Sequence, residues 1–282
     1  MKMRKNTVLS AIIAAFLVLS MLAATGCGSK NDTAEVETTT AVQETSVPDE
    51  SVAVPESTAA EETVTNGASE VTETTAEAFV LPQEIPEIVE LFNKSANRIK
   101  PEAKKVVKNY EKRIVDKENL VVPKSLESTA ETLIDTFMKD DTEPIVYSTK
   151  EDIRNEYIVP NQDYVSKLRA EDVREAACKD MGDKYEIRIV LKNEKNPVTG
   201  KGVGSVCDII EAHEVEEKAS FIEEFSTEYN NCEVRMTVDK ESGRVTHSIY
   251  VVNLILNVRV NLFGTHSAAI GLTFEKDYSV TY

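Results

Sequence analysis

Leu254-Ile255-Leu256-Asn257-Val258-Arg259-Val260-Asn261-Leu262 is the longest regular alternation in the chain. On an extended backbone Leu254, Leu256, Val258, Val260 and Leu262 share one side, with Asn257, Arg259 and Asn261 on the other. That period of two belongs to a strand with one dry face and one wet face. The neighbouring segments repeat the pattern. Cys232, Val234, Met236 and Val238 alternate, residues 239–243 supply a turn, and Val245, His247, Ile249 and Val251 alternate on the return. Ala268, Ile270, Leu272 and Phe274 follow Gly264, and Tyr278, Val280 and Tyr282 close the chain. Upstream, residues 173–178 and 185–191 read as two strands joined through Met181-Gly182-Asp183. Tyr185, Ile187, Ile189 and Leu191 lie on one face, and Val190 breaks the alternation. Consecutive strands with short links pair antiparallel, so residues 171–282 form the mainly β part of the body.

Residues 85–157 read as its helical part. Pro86 suits a first helical turn, and Ile88, Phe92, Ala96 and Ile99 recur on one face. Pro101 predicts a break after Lys100. The spacing of Ala103, Val106, Val107, Tyr110 and Ile114 predicts a second helix. Leu126, Ala130, Leu133, Ile134 and Phe137 predict a third over 125–139. A short strand is expected at 144–147. Ser148-Thr149-Lys150-Glu151 then has capping-box spacing for a brief helix reaching about Tyr157. Residues 205–225 suit a helix, and a strand through 206–210 fits as well. The fold class expected for residues 85–282 is a single α+β domain, with N-terminal amphipathic helices packed on a curved antiparallel meander.

Ahead of the body the composition changes twice. Residues 1–26 have the form of a signal peptide, with Lys2, Arg4 and Lys5 ahead of an apolar stretch from Val8 to Ala24. Residues 27–84 are rich in Thr, Glu, Ala, Val and Ser, and from 28 onward carry thirteen acids against one base, Lys30. Such a tract cannot bury enough apolar surface to offset its chain entropy, so it reads as a disordered tether. Of the net charge of −17, leader and tether account for +3 and −12, which leaves −8 on the body. A mildly acidic body has no basic stripe for phosphates, so nucleic acid is not an expected partner. Lys100, Lys104, Lys105, Lys108, Lys112 and Arg113 do cluster, and a solvated helix face explains them.

Leu22-Ala23-Ala24-Thr25-Gly26-Cys27 resembles the lipobox of bacterial lipoprotein signals, departing from it at Ala24, where leucine is commoner. The resemblance implies a diacylglyceryl group on the Cys27 thiol and cleavage that leaves Cys27 as the mature N-terminus. The membrane is then a partner through that lipid, on the extracytoplasmic face of the cell. Two acyl chains hold where one binds only marginally. Two other readings stay open: an uncleaved membrane-spanning leader, and cleavage at Ala23-Ala24 that releases a soluble protein. Lipobox, acidic tether and small body together resemble the surface lipoproteins of clostridial-type Gram-positive bacteria, a likeness that brings no activity and no site residues for the body.

The body's chemistry-bearing residues are few. Cys178, Cys207 and Cys232 all lie in apolar-patterned segments. Outside the cytoplasm two of them are permitted a disulfide, with the pair undetermined. His213, His247 and His266 show no metal-ligand spacing, although His247 and His266 lie on expected strands and could approach one another. Gly200-Lys201-Gly202-Val203-Gly204-Ser205 lacks the order of a phosphate loop and reads as a glycine-rich turn. Glu216-Glu217 and Glu223-Glu224 are paired acids in an acidic chain, and there is no tryptophan to floor a sugar cleft. No catalytic residue, cofactor or metal site is assigned. The expected function is a membrane-anchored, non-enzymatic binding or interaction module with a cell-wall or protein partner. The rivals are a carrier of a hydrophobic ligand held between helices and sheet, and an extracytoplasmic hydrolase whose histidine meets an acid or Cys207 in a cleft.

Overall fold

The computed structural model describes residues 81–123, 138–218, 222–261 and 265–282. The leader, Cys27, nearly all of the tether, almost all of the helix expected over 125–139, and Phe221 and Leu262 lie outside them. What is described is mostly antiparallel sheet with a few short helices. The elements are α1 (Ile85–Ala96), the single turn α2 (Ile99–Glu102), β1 (Lys105–Val121), β2 (Ile145–Tyr147), α3 (Lys150–Glu156), β3 (Val173–Asp180), β4 (Lys184–Leu191), β5 (Glu194–Lys195), α4 (Ala212–Lys218), β6 (Ile222–Tyr229), β7 (Glu233–Asp239), β8 (Val245–Asn261) and β9 (Thr265–Thr281). Strand order is β2-β1-β9-β8-β7-β4-β3. β6 pairs with the C-terminal half of β8 and β7 with its N-terminal half, so the two lie end to end along one edge of a long strand.

The dry face gathers into one core. Ile88, Val89, Phe92, Ala96 and Ile99 pack with Ile187, Ile189, Leu191, Val234, Met236, Leu254 and Leu256. Tyr157, from the end of α3, meets Tyr250 and Tyr278 edge to face, with ring centroids 5.0–6.5 Å apart. That arrangement suits the positive edge and negative face of each ring. Thr149 caps α3 by accepting from the Asp152 amide at 3.0 Å, one residue later than the Ser148–Glu151 spacing implied. Val190 is buried yet absent from the core, which places it on the other face of the sheet.

Three departures from the sequence reading share one cause. The second helix, expected along Ala103 to Ile114, is instead strand from Lys105 onward, part of β1. A bulge between Lys108 and Tyr110 puts Lys108 and Glu111 on the same dry face, three apart as in a helix. Another bulge, between Ile222 and Glu224, brings Ile222 and Phe225 to one face, so a strand there has helical spacing. In β8 an extra residue, Thr246, reverses parity: Val245 is buried, but Ser248, Tyr250 and Val252 then point inward. His247, Ile249 and Val251, expected beside Val245, face outward instead.

Candidate functional site

The helices sit on the dry face, and the opposite face of the sheet is left without a covering layer among the described residues. Its side chains are held in register by hydrogen bonds across strands. The Asp277 carboxylate, 7 % exposed, sits 2.9 Å from His247 Nε2 and accepts from Asn109 Nδ2 at 2.5 Å. Asn109, the bulged residue of β1, donates also to Ser279 Oγ at 2.9 Å. One step along, Tyr110 Oη donates to Glu275 Oε1 at 2.8 Å, with Lys112 Nζ 3.1 Å from the same oxygen and over the Tyr110 ring. Burial, followed by the Glu275 carboxylate, pushes the Tyr110 hydroxyl up to about 12, and the phenol's hydrogen bond in turn lowers the Glu275 carboxyl. Further across, Glu233 lies between Arg188 and Arg235, and Glu175 pairs with Arg188.

A line of amides crosses the same region where the strands change partner. The Asn231 amide donates to Asn193 Oδ1 at 3.0 Å, Asn253 Nδ2 donates to the Asn231 carbonyl at 3.2 Å, and Thr273 Oγ1 donates to Asn253 Oδ1 at 2.7 Å. Asn231 stands at φ 53, a left-handed conformation that asparagine tolerates. The face is therefore a pre-ordered set of carboxylates, guanidinium groups, amides and one phenol, suited to hydrogen-bonding a broad polar partner.

The residues singled out by sequence are dispersed. His247 meets an acid, Asp277, on the open face rather than in a cleft. His266 pairs with Val260 at the far end of the β8–β9 hairpin, while His247 pairs with Ser279. At the rise of an extended chain those positions are roughly 40 Å apart, so the two, which adjacent strands could have brought together, do not meet. His213 is exposed, with Nδ1 3.6 Å from Glu211. Cys178, Cys207 and Cys232 are free thiols, the first half-buried on the edge strand β3 and the other two buried. Burial raises all three thiols, Cys232 to about 11. In native protein a maleimide should therefore label Cys178 first, and Cys207 and Cys232 only after unfolding; peptide mapping reads this directly, and prompt labelling of either buried thiol would contradict it. The Gly200–Ser205 turn already holds an anion, the chain's own Glu194, whose Oε2 accepts from the Val203 amide at 2.7 Å. A Cβ at Gly202 would stand 2.1 Å from that oxygen.

Two features escaped the sequence reading. Lys100 and Lys108, grouped there with a solvated helix face, are 5 % and 7 % exposed. Lys108 belongs to a charged cluster on the dry face, where Glu111 lies 2.8 Å from Lys108 and 2.9 Å from Arg113, and Asp141 lies 3.2 Å from Lys108. Lys276, directly opposite Glu111 on the neighbouring strand, joins it, and its ammonium lies 3.6 Å from Asp208. Among the described residues no group of His, Cys, Asp and Glu is placed to hold a metal, and no helix is long and apolar enough to cross a membrane. A shallow groove of about 530 Å³ runs along α1, lined by Val89, Asn93, Lys94, Asn97, Leu168 and Arg169. No protein-family model, no curated protein and no solved structure matches the chain.

Proposed function

We propose that this chain is a lipid-anchored extracytoplasmic lipoprotein whose body works as a binding module rather than as a catalyst, using the uncovered face of its sheet. The lipobox-like Leu22–Cys27 segment and the acidic tract behind it support the anchor and the spacer. On this reading N-terminal helices on a curved antiparallel sheet serve as the scaffold, bent by the bulges at Asn109, Glu223 and Thr246. The observation that carries the binding reading is the order on the open face. Asn109, Asp277, His247, Tyr110, Glu275 and Lys112 are fixed by bonds across three strands before any partner arrives. Such preorganisation lowers the entropy cost of binding a broad polar polymer or protein surface. In this reading the partner is a component of the cell wall, within reach of a tether with an r.m.s. span of roughly 40 Å.

The test uses the protein purified from native membranes. Its intact mass should carry the diacylglyceryl adduct on Cys27, and it should co-sediment with purified wall sacculi. Lys112→Glu with Arg235→Glu should cut the bound fraction by about tenfold, while thermal unfolding stays near that of the parent. An unmodified sulfur at position 27 would remove the anchor, and unchanged sedimentation of the double variant would remove the binding face.

A further inference from the structure

β3 is the last strand of the sheet, and no strand pairs with its outer edge among the described residues. An eight-residue edge with open amides and carbonyls is a template for another strand unless something blunts it. The β3–β4 hairpin closes through Met181 N donating to the Lys184 carbonyl at 2.9 Å. Counting back in the antiparallel alternation, Lys179, Ala177 and Glu175 spend their backbone groups on β4, so Asp180, Cys178 and Ala176 aim theirs outward. The side chains along this edge are mostly exposed and small at the centre: Arg174, Glu175, Ala176, Ala177, Cys178, Lys179 and Asp180.

The charges on this strand are arranged as their own antiparallel complement. Laid against a second copy with the two-fold axis at Ala177, Arg174 falls opposite the partner's Asp180, and Glu175 opposite the partner's Lys179. Ala176 meets the partner's Cys178 with outward backbone groups facing one another. Shifting the centre to Ala176 or to Cys178 also keeps the backbone in phase, but leaves no charge opposite its complement. Within one copy Glu175 already touches Arg174 and Arg188, and Asp180 touches Lys240. These groups remain about half exposed, and Lys179 has no ion pair among the described residues. We infer that β3 is a self-association edge, pairing antiparallel with β3 of a second copy about Ala177. Pairing of this isologous kind closes as a dimer and consumes the long free edge that β3 presents among the described residues. The two-fold axis stands perpendicular to the sheet, so the binding faces of both copies point the same way and become one continuous surface.

Cross-linking in the full chain tests the register. Ala177 would face Ala177 of the partner subunit as a non-hydrogen-bonded pair, with Cα atoms close enough for a disulfide. The chain carrying Ala177→Cys and Cys178→Ser, oxidised under mild conditions, should give a species of twice the chain mass, lost on reduction, whose linked peptides map to position 177. Adding Lys179→Glu sets two pairs of like charges face to face and should lower the linked fraction about tenfold. Adding Glu175→Lys as well restores opposite charges and should restore the link. Circular dichroism of each variant separates loss of pairing from loss of fold. Linkage that ignores Lys179→Glu, or that fails to return in the charge-swapped chain with its fold intact, overturns the proposal. So does efficient self-linking through native Cys178 in place of position 177.

Discussion

Replacing Lys100 with methionine is expected to destabilise the body by about 3 kcal/mol, three hydrogen bonds from a charged donor being lost against one relieved desolvation. The Lys100 ammonium is buried and donates to three carbonyls, of Val159 at 3.0 Å, Gln162 at 2.9 Å and Arg154 at 3.3 Å. The Arg154 carbonyl lies in the last turn of α3, and those of Val159 and Gln162 in the segment that leaves it, where Val159 stands at φ 50 and Asn161 at φ 63. A β-branched residue in the left-handed region is strained, and it persists only where its surroundings over-determine it. The ammonium is what converges on that turn. For a domain of this size such a loss lowers the unfolding temperature by roughly 6–12 °C. Amides of residues 157–163 should exchange faster than those of β8, where the ladder is untouched. Lys100→Arg should recover only part of the loss, because a planar fork cannot aim donors at three converging oxygens as a compact ammonium can. If Lys100→Met unfolds at the parent temperature, the three carbonyl contacts do not hold this turn.

Strands whose inward residues keep a period of two without a bulge were legible from the residues alone. Tyr185, Ile187, Ile189 and Leu191, and likewise Cys232, Val234, Met236 and Val238, are all buried on the face their spacing assigns. The turns at Gly182 and Gly243, the short β2 and the brief helix α3 were legible as well, each carried by local chemistry, although the cap of α3 falls on Thr149 and not on Ser148. Bulges are what hid the rest. One inserted residue converts a period of two into a step of three, and the result is indistinguishable from a helix over short runs. β1 suffered most, because its inward residues at the bulge are charged. Lys108 and Glu111 on a dry face make sense only once Arg113, Asp141 and Lys276 stand beside them, and those partners come from distant parts of the chain. The open face was hidden for a related reason. Asn109, Asp277 and Ser279 meet only because β1 pairs with the last strand, a pairing that no local pattern announces.

The same cluster yields the sharpest dependence on acid. Burial alone would raise the Glu111 carboxyl, but the summed attraction of Lys276, Lys108 and Arg113 outweighs it and holds the pKa at about 2, against an ordinary 4.5. A carboxyl depressed in the folded state contributes stability that is fully present above its unfolded value and disappears as pH falls through its folded one. The window therefore runs from about pH 5 down to about pH 2, and the shift corresponds to roughly 3 kcal/mol. Glu111→Gln removes the titrating group while keeping its shape. It leaves Lys108 with Asp141, Lys276 with Asp208 and Arg113 with the Lys139 carbonyl, so at pH 7 it should cost about 3 kcal/mol or somewhat more, as when one partner of a buried pair is removed. Across the acid window the gap between parent and variant should close, because protonation does to the parent what the substitution did already. Denaturant unfolding of both proteins at pH 7, 4 and 2.5 reads the difference. Parallel stability curves for parent and variant would mean that Glu111 is not the group through which acid loosens the charged cluster, whatever the overall acid sensitivity of the chain.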